Sequence, residues 1–243
     1  MPLALEVQGL TKSYGKKLAV DHVSFTIEKG QIFGLMGMNG AGKTTILRML
    51  ATLLRPDSGD ALIDGHSVVK EPDQVRARIC YLPDEAGAYR TMTGEAYLAF
   101  IAGLYFKKPE EQKACIERGR EICGLGDALS QKIATYSRGM TRKLVLARTV
   151  MAQPVLAILD EPTSGLDVLN SLDIRKSIRD CAEKYGTAFL LSSHHMQEVH
   201  TMADRCAIMK DGVFLADGTP DELLARYEAD TLERVFEKAV RGV

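Results

Sequence analysis

The sequence predicts an α/β protein built on a parallel sheet. Three β-rich runs recur along the chain, at residues 31–37, 155–160 and 188–195, and the second of them is uniformly apolar. Runs of this kind are typical of strands in a parallel sheet that helices cover on both faces. Segments with apolar residues at helical spacing lie between the runs, and this alternation indicates an α/β fold.

The predicted elements follow one another in a simple order. The first strand, QIFGLMG, is followed by the helical pattern TTILRMLATLL, which RPDSGD ends. Residues from about 86 to 152 carry mainly helical patterns and no convincing strand, which predicts a helical insertion into the core. VLAILD and AFLLSSHH follow as strands, and RCAIMKDGVFLADG predicts an edge hairpin with its turn at Asp211-Gly212.

The C-terminal stretch DELLARYEADTLERVFEKAV has an amphipathic helical pattern. No repeat or low-complexity segment interrupts the chain. We therefore expect one domain over residues 1–225, which includes the insertion at about 86–152, and a helical tail over residues 226–243.

Composition and charge indicate an ordinary folded chain with no strong pull toward nucleic acid or anionic lipid. Lys and Arg number 31 against 32 Asp and Glu, and 46% of the residues are hydrophobic. The five cysteines are odd in number and contain no CxxC pair, which is typical of free thiols in a reducing cytoplasm. The N-terminal residues show no signal-peptide pattern. The longest apolar run, residues 96–106, is shorter than the roughly 20 residues that span a bilayer.

GMNGAGKT (37–44) matches the phosphate-loop pattern G-x-x-x-x-G-K-[ST], between a predicted strand and a predicted helix. A chance match in a chain of this length has a probability of roughly one per cent. The glycines allow close backbone approach, and the N–H groups that follow point toward phosphate oxygens. Lys43 supplies counter-charge, and the Thr44 hydroxyl is a Mg²⁺ ligand. The pattern predicts a nucleoside triphosphate with Mg²⁺, held by Gly37, Met38, Asn39, Gly40, Ala41, Gly42, Lys43, Thr44 and Thr45.

Two acids close the predicted strand VLAILD, at the carboxyl edge of the sheet where ligands of α/β proteins gather. Asp160 is expected to hold Mg²⁺ through its water shell, because Mg²⁺ dehydrates reluctantly. Glu161 is then placed to orient or deprotonate an attacking water. The pair alone is weak evidence, but beside a phosphate loop it predicts a hydrolytic site.

The order of GMNGAGKTT, YSRGM, LAILDEPTSGLD and LLSSHHMQEV closely resembles the ATP-binding cassette (ABC) ATPases over nearly the whole chain. The resemblance implies a P-loop NTPase core of ABC ATPase type, with a helical insertion subdomain and an antiparallel β-subdomain. It also implies that the chain binds ATP with Mg²⁺ and hydrolyses ATP, with Lys43, Glu161 and His194 as catalytic residues.

The same resemblance implies roles for residues that the bare pattern leaves unassigned. Tyr14 is expected to stack on adenine, with Val20 near the same base. Ser137 and Gly139, in the signature segment YSRGM, are expected to hold the γ-phosphate of an ATP bound to a second copy. Asp167 lies in the loop that crosses to that copy. His194 matches the histidine that contacts the γ-phosphate.

Three positions depart from the family pattern. Arg138 replaces a Gly, Met140 replaces a Gln, and Asp84 stands where a Gln usually senses Mg²⁺ and the membrane subunit. Asp84 can still ligate Mg²⁺ or its waters, and Glu85 is an alternative that the sequence leaves open. The segment YLP followed by acids, together with YS-basic-GM, resembles the subgroup that serves exporters of sodium, antibiotics and lipophilic compounds.

We therefore expect the cytoplasmic ATPase subunit of an exporter, attached to the inner face of the cell membrane through a separate integral membrane permease. Two copies would close head to tail over two ATP molecules, and the coupling surface would lie near residues 84–105. No nucleic-acid partner is expected.

Other functions explain less of the sequence. A soluble ABC ATPase acting on nucleic acid or ribosomes is the alternative, but coiled-coil insertions, zinc modules and a second cassette are missing from the pattern. A P-loop kinase leaves YSRGM and SSHH unexplained. A zinc site at His194, His195 and His200 lacks the HExxH spacing.

Overall fold

Two sheets organise the chain, and the computed structural model describes residues 2–242. The strands are β1 (Leu3–Tyr14), β2 (Lys17–Glu28), β3 (Ile32–Met36), β4 (Ser58–Ile63), β5 (His66–Ser67), β6 (Ile79–Leu82), β7 (Leu156–Asp160), β8 (Ala188–Ser193), β9 (Arg205–Lys210) and β10 (Val213–Gly218). The helices are α1 (Lys43–Leu50), α2 (Pro72–Arg76), α3 (Gly94–Tyr105), α4 (Pro109–Cys123), α5 (Arg138–Val150), α6 (Val168–Tyr185), α7 (Met196–Met202), α8 (Pro220–Arg226) and α9 (Leu232–Arg241).

The larger sheet has the strand order β10-β9-β3-β8-β7-β6 and is parallel except for the edge pair β9 and β10. Every residue of β3, β7 and β8 is buried, as expected for strands covered on both faces. The α/β class and these three strands are therefore confirmed. The predicted edge hairpin is also present, with Asp211 and Gly212 between β9 and β10.

The smaller sheet is antiparallel, in the order β2-β1-β4-β5. Its long strands alternate in burial, so that Val23, Phe25 and Ile27 of β2 face inward. Phe25 stacks on Phe33 of the larger sheet, with ring centroids 5.0 Å apart. The two sheets therefore share one apolar cluster. The sequence predicted this antiparallel unit through the family resemblance alone.

Between residues 86 and 152 the described chain contains α3, α4, α5 and two short 3-10 helices, Gly126–Ser130 and Ile133–Thr135, with no strand. An isolated bridge joins Thr93 to Lys132. Thr93 caps α3 by accepting from the Ala96 N–H, which satisfies one of the orphan donors at a helix start. These helices pack together on the larger sheet and position the start of α5 at its edge.

The C-terminal stretch forms two helices. Thr219 and Glu222 make a capping box at the start of α8. The chain then bends at Glu228, whose φ of 47° lies in the left-handed region, and Thr231 caps α9. Leu232 and Val235 of α9 are buried in the same cluster as the core sheet. The boundary at residues 225 and 226 falls at the end of α8 and stays a prediction. Nowhere in residues 2–242 is there a helix with the length and apolar character to cross a membrane.

Candidate nucleotide-binding site

The phosphate loop connects the end of β3 to the start of α1. Gly42 is the residue before the helix and has a φ of 113°, a conformation that side chains other than glycine rarely adopt. A Cβ on Gly42 would lie 2.3 Å from the Ala19 carbonyl oxygen, and one on Gly37 would lie 2.5 Å from the Met209 carbonyl oxygen. These glycines are therefore needed for the loop to pack against β2 and β9, before any ligand is considered.

Lys43 lies at the centre of this loop and is 6% exposed. Its Nζ donates to the Gly37 carbonyl oxygen at 2.5 Å and lies 3.9 Å from Glu161 Oε1. Burial lowers the pKa of Lys43 from its ordinary value, and the Glu161 and Asp160 carboxylates partly offset that shift. The buried Lys43 ammonium group therefore lies near the carboxylates of Asp160 and Glu161 at the carboxyl edge of the sheet.

Asp160 is the last residue of β7 and Glu161 follows it, at the carboxyl edge of the sheet. Asp160 Oδ1 accepts from Ser192 Oγ at 2.6 Å and from Thr44 Oγ1 at 3.4 Å. The Glu161 N–H donates to the same Ser192 hydroxyl at 3.1 Å. Glu161 has a φ of 48°, which is uncommon for a residue with a side chain and marks local strain of the kind found at functional sites.

His194 follows β8 and faces Glu161. Its Nδ1 lies 2.9 Å from Glu161 Oε2, so a proton on Nδ1 would donate to the carboxylate and leave Nε2 free. The rings of His194 and His195 lie with centroids 4.0 Å apart. Lys43 and His194 therefore both lie beside the Glu161 carboxylate.

A cleft of ≈ 460 Å³ joins the phosphate loop to these acids. Most predicted positions line it, and so do three residues that the sequence analysis did not name, Lys17, Ala19 and Arg48. Val20 is fully buried and does not line the cleft. Tyr14 lines it and is half exposed, so one ring face is available for stacking.

Asp84 and Glu85 also line this cleft, and both are exposed. Both line in addition a second cavity of ≈ 490 Å³, between the loop after β6 and the start of α5. The segment therefore lies between two cavities. The choice between Asp84 and Glu85 stays open, because the two carboxylates share both locations.

Ser137, Gly139 and Asp167 form a separate group outside the phosphate-loop cleft. Ser137 is the N-cap of α5 and accepts from the Met140 N–H at 3.2 Å. Asp167 is the N-cap of α6 and accepts from the N–H of Asn170 at 2.9 Å. The Asn170 side chain lies against Gly139, where a Cβ would come within 2.4 Å of it. The predicted site residues therefore fall into two groups on one chain.

Two buried residues tie the site together, and the sequence analysis missed both. Ser192 bonds Asp160 and the Glu161 backbone, and two serines ending an otherwise apolar strand were the available signal. Arg142 donates to the backbone carbonyl oxygens of Asp160 and Asp84. Its sequence signal was weak, because its neighbours Thr141 and Lys143 are also polar.

Hard oxygen donors suited to Mg²⁺ are present, namely the Thr44 hydroxyl and the Asp160 carboxylate. No cluster of three or more His, Cys, Asp or Glu side chains within residues 2–242 is arranged to hold a metal ion.

Comparison with known proteins identifies the family. A family model described as ABC transporter matches residues 20–164. The chain is 38% identical over 232 residues to the daunorubicin/doxorubicin resistance ATP-binding protein DrrA of Streptomyces peucetius, covering 94% of this chain and 69% of that protein. It is 37% identical to the ABC transporter ATP-binding protein NatA of Bacillus subtilis, covering 93% and 92%.

Solved structures give the same result. An ATP-binding subunit of an ABC transporter superposes with a TM-score of 0.85 at 26% identity, covering 98% of this chain and 99% of that one. A dimeric ATP-binding cassette in a post-hydrolysis state, with ADP and Pi bound, shares the fold with a TM-score of 0.78 at 20% identity, covering 88% and 98%. The resemblance read from the sequence is thus confirmed. The chain belongs to the ABC transporter family, as one of its ATP-binding, ATP-hydrolysing subunits.

Proposed function

We propose that this subunit drives a separate membrane permease that exports a drug-like or other lipophilic compound. The observation that carries the proposal is the placement of Lys43, Asp160 and Glu161 around one cleft, with His194 in contact with Glu161, while the start of α5 offers a second group elsewhere. The relatives named for resistance to daunorubicin, doxorubicin and linearmycin support export. The identity of the exported compound depends on the permease.

Glu161 is the residue we assign to the chemical step. Its carboxylate would take a proton from water while the water oxygen forms a bond to the γ-phosphorus. The bond from that phosphorus to the bridging oxygen breaks, and ADP leaves with the electron pair. His194 holds the other carboxylate oxygen of Glu161 and so orients the base.

Thr44 and Asp160 would hold Mg²⁺, with Asp84 or Glu85 as a further oxygen donor at the cleft. When bound, Mg²⁺ neutralises charge that develops on the phosphates. Lys43 contributes a fixed positive charge at the same place, and Tyr14 offers an exposed ring for the base. Val20 is fully buried and packs in the core without lining the cleft.

A head-to-tail homodimer would bring Ser137 and Gly139 of one copy to the phosphate loop of the other. Two observations support this arrangement. Ser137 and Asp167 lie at exposed helix starts, where N–H groups and the helix dipole favour an anion. Val168 and Leu169, directly after Asp167, are 73% and 74% exposed, and apolar residues of that exposure suit an interface that forms only on dimer closure.

The permease would dock on the insertion beside the second cavity. Tyr89 and Phe100 meet edge to face with ring centroids 5.8 Å apart, and both are exposed. Leu104 and Tyr105 are exposed on the same helix, α3. A patch of this apolar character next to a cavity is typical of a protein-interaction surface.

The test is a gentle detergent pull-down from native membranes, with the wild type and the variant Leu104→Glu. An integral membrane protein should copurify with the wild type and be lost from the variant. Leu53→Glu is the matched control, since Leu53 is equally exposed but lies outside the insertion, and it should keep the partner. Ribosomal or DNA partners, or retention by Leu104→Glu, would overturn the proposal.

A further inference from the structure

Arg142 is a buried arginine whose hydrogen bonds all go to the backbone. It is 8% exposed. Burial lowers the pKa of Arg142 from its ordinary value, and the Asp84 and Asp160 carboxylates partly offset that shift. Its Nε donates to the Pro162 carbonyl oxygen at 2.7 Å. Its Nη2 donates to the Glu161 carbonyl oxygen at 2.7 Å and to that of Asp160 at 3.3 Å. A guanidinium in this position costs desolvation, which its hydrogen bonds must offset.

The same guanidinium also reaches the loop after β6. Its Nη1 donates to the Asp84 carbonyl oxygen at 2.9 Å. One side chain of α5 therefore ties together the segment after β7 and the segment after β6. The N-cap of α5, Ser137, lies little more than one turn before Arg142.

Glu161 is the residue that this contact constrains most. Its backbone is in the left-handed region, with a φ of 48°. Its N–H is held by Ser192, and its carbonyl oxygen accepts from Arg142 at 2.7 Å and from the Ser164 N–H at 3.1 Å. An uncommon backbone conformation persists only where the surroundings over-determine it, and here Arg142 supplies the shorter of the two bonds to the carbonyl oxygen. The direction of the Glu161 side chain follows from that conformation.

We propose that Arg142 is a positioning residue for ATP hydrolysis, holding the backbone of Glu161 and linking its position to that of α5. The inference rests on the proposed role of Glu161 as the base. Arg138, one turn earlier, makes a second and weaker contact of the same kind, since its exposed guanidinium donates to the Ser164 carbonyl oxygen at 3.1 Å.

Arginine suits this role and lysine does not. A planar guanidinium offers five N–H donors in a fixed fork, and these donors reach four carbonyl oxygens on two segments. An ammonium is one point with three donors on a flexible stem. Arg142→Lys keeps the charge but loses the fork, so it separates geometry from electrostatics.

The experiment compares Arg142→Lys and Arg142→Gln with the matched variants Arg148→Lys and Arg148→Gln. Arg148 lies on the same helix and donates to the Tyr97 hydroxyl, away from Glu161. We expect kcat to fall about a hundredfold in both Arg142 variants, with the Kd of a fluorescent ATP analogue within about threefold of wild type because the phosphate loop is untouched. The Arg148 variants should keep kcat within about threefold.

The kcat of the double variant Glu161→Gln, Arg142→Lys shows whether Arg142 acts through Glu161. If Arg142 acts through Glu161, the double variant has the same residual kcat as Glu161→Gln alone. A purely structural arginine would lower kcat further and lower ATP binding together with Tm. Additive losses, a kcat for Arg142→Lys within about threefold of wild type, or failure of both Arg142 variants to fold would overturn the proposal. Normal turnover in Glu161→Gln would instead overturn the assigned role of Glu161.

Discussion

The phosphate-loop cleft and the group at the start of α5 differ in how completely the chain prepares them. Around the cleft, Lys43, Asp160 and Ser192 are buried: the Ser192 hydroxyl donates to Asp160 at the next strand end, and Lys43 donates to the Gly37 carbonyl oxygen of its own loop. At the second group, Ser137 and Asp167 are exposed and bond only their own helix starts or the neighbouring Asn170. One chain thus holds its own phosphate loop firmly and leaves Ser137 and Asp167 facing solvent, with Gly139 buried beside them.

The difference follows from which charged and hydrogen-bonding groups each region must pair within the chain. A buried cation and buried carboxylates must be paired within the chain, because an unpaired buried charge is costly. An exposed helix start can leave N–H groups to water until an anion arrives. The cleft is therefore formed within one copy, whereas under the proposed head-to-tail arrangement the second group would meet a phosphate held by another copy.

Removing the base should give the largest effect on the buried side of this comparison. Glu161→Gln should lower kcat by about a hundredfold or more while ATP binding stays normal. The variant should accumulate as an ATP-bound dimer in size-exclusion chromatography, because closure no longer ends in hydrolysis. Glu183→Gln, an exposed acid on α6, serves as the control and should match wild type. Near-normal turnover of Glu161→Gln would remove Glu161 from the mechanism.

Mixed dimers test whether the exposed group completes the cleft of a second copy. Lys43→Ala should lose phosphate binding, and Gly139→Asp places a carboxylate beside the expected γ-phosphate, so each homodimer should be nearly inactive. In a linked mixed dimer, one site collects both changes and the other has an intact loop and an intact YSRGM. Its activity should recover to at most about half of wild type in an independent-site scheme.

The linkage, by a disulfide or a tandem fusion, enforces pairing of the two variants. A linked dimer carrying Lys43→Ala in both halves is the control and should stay inactive. Enforced mixed dimers that bind ATP, close and still show no turnover would contradict the head-to-tail arrangement. If a single chain catalysed hydrolysis by itself, mixing the two variants would restore no activity at any ratio.

Local patterns were sufficient to predict the phosphate loop, the strands β3, β7 and β8, and the acids that follow β7. Contacts between distant segments were not predictable in this way. Arg142 and Asp84 lie 58 positions apart, and Ser192 and Asp160 lie 32 apart, so no local pattern brings them together. The strand β6, Ile79–Leu82, is only four residues long and has too little sequence for a period to show.

The strands of the N-terminal sheet could not be predicted from local patterns for another reason. The pairing of β1 with β2 shifts register several times, including between Val7 and Leu10, and each shift interrupts the alternation that identifies a strand. The C-terminal stretch is divided into two helices at Glu228, whose left-handed backbone conformation could not be predicted from its residue type. These features depend on tertiary packing, which overrides local propensity.

The loop between the two cavities gives a smaller expected effect. Asp84 faces the cleft and lies beside the proposed permease surface, so Asp84→Ala should weaken coupling more than ATP binding. We expect the stimulation of ATPase activity by the permease in nanodiscs to fall about five- to tenfold, in the range of ordinary coupling free energies. Glu85→Ala is the parallel variant. Equal stimulation in Asp84→Ala and wild type would favour Glu85 or no role for Asp84.

The smallest effect concerns the buried cation of the cleft. Burial lowers the pKa of Lys43 in the folded chain below its ordinary value, so the unfolded chain binds the extra proton more tightly. Folding stability contributed by Lys43 therefore rises with pH between the folded and the ordinary pKa. The Tm of the wild type should gain relative to Lys43→Met by about one to three degrees as the pH is raised toward the ordinary lysine pKa, measured without nucleotide. Lys176→Met, at an exposed lysine on α6, should not gain in this way, and a wild-type Tm that fell relative to Lys43→Met would mean that the two carboxylates outweigh burial.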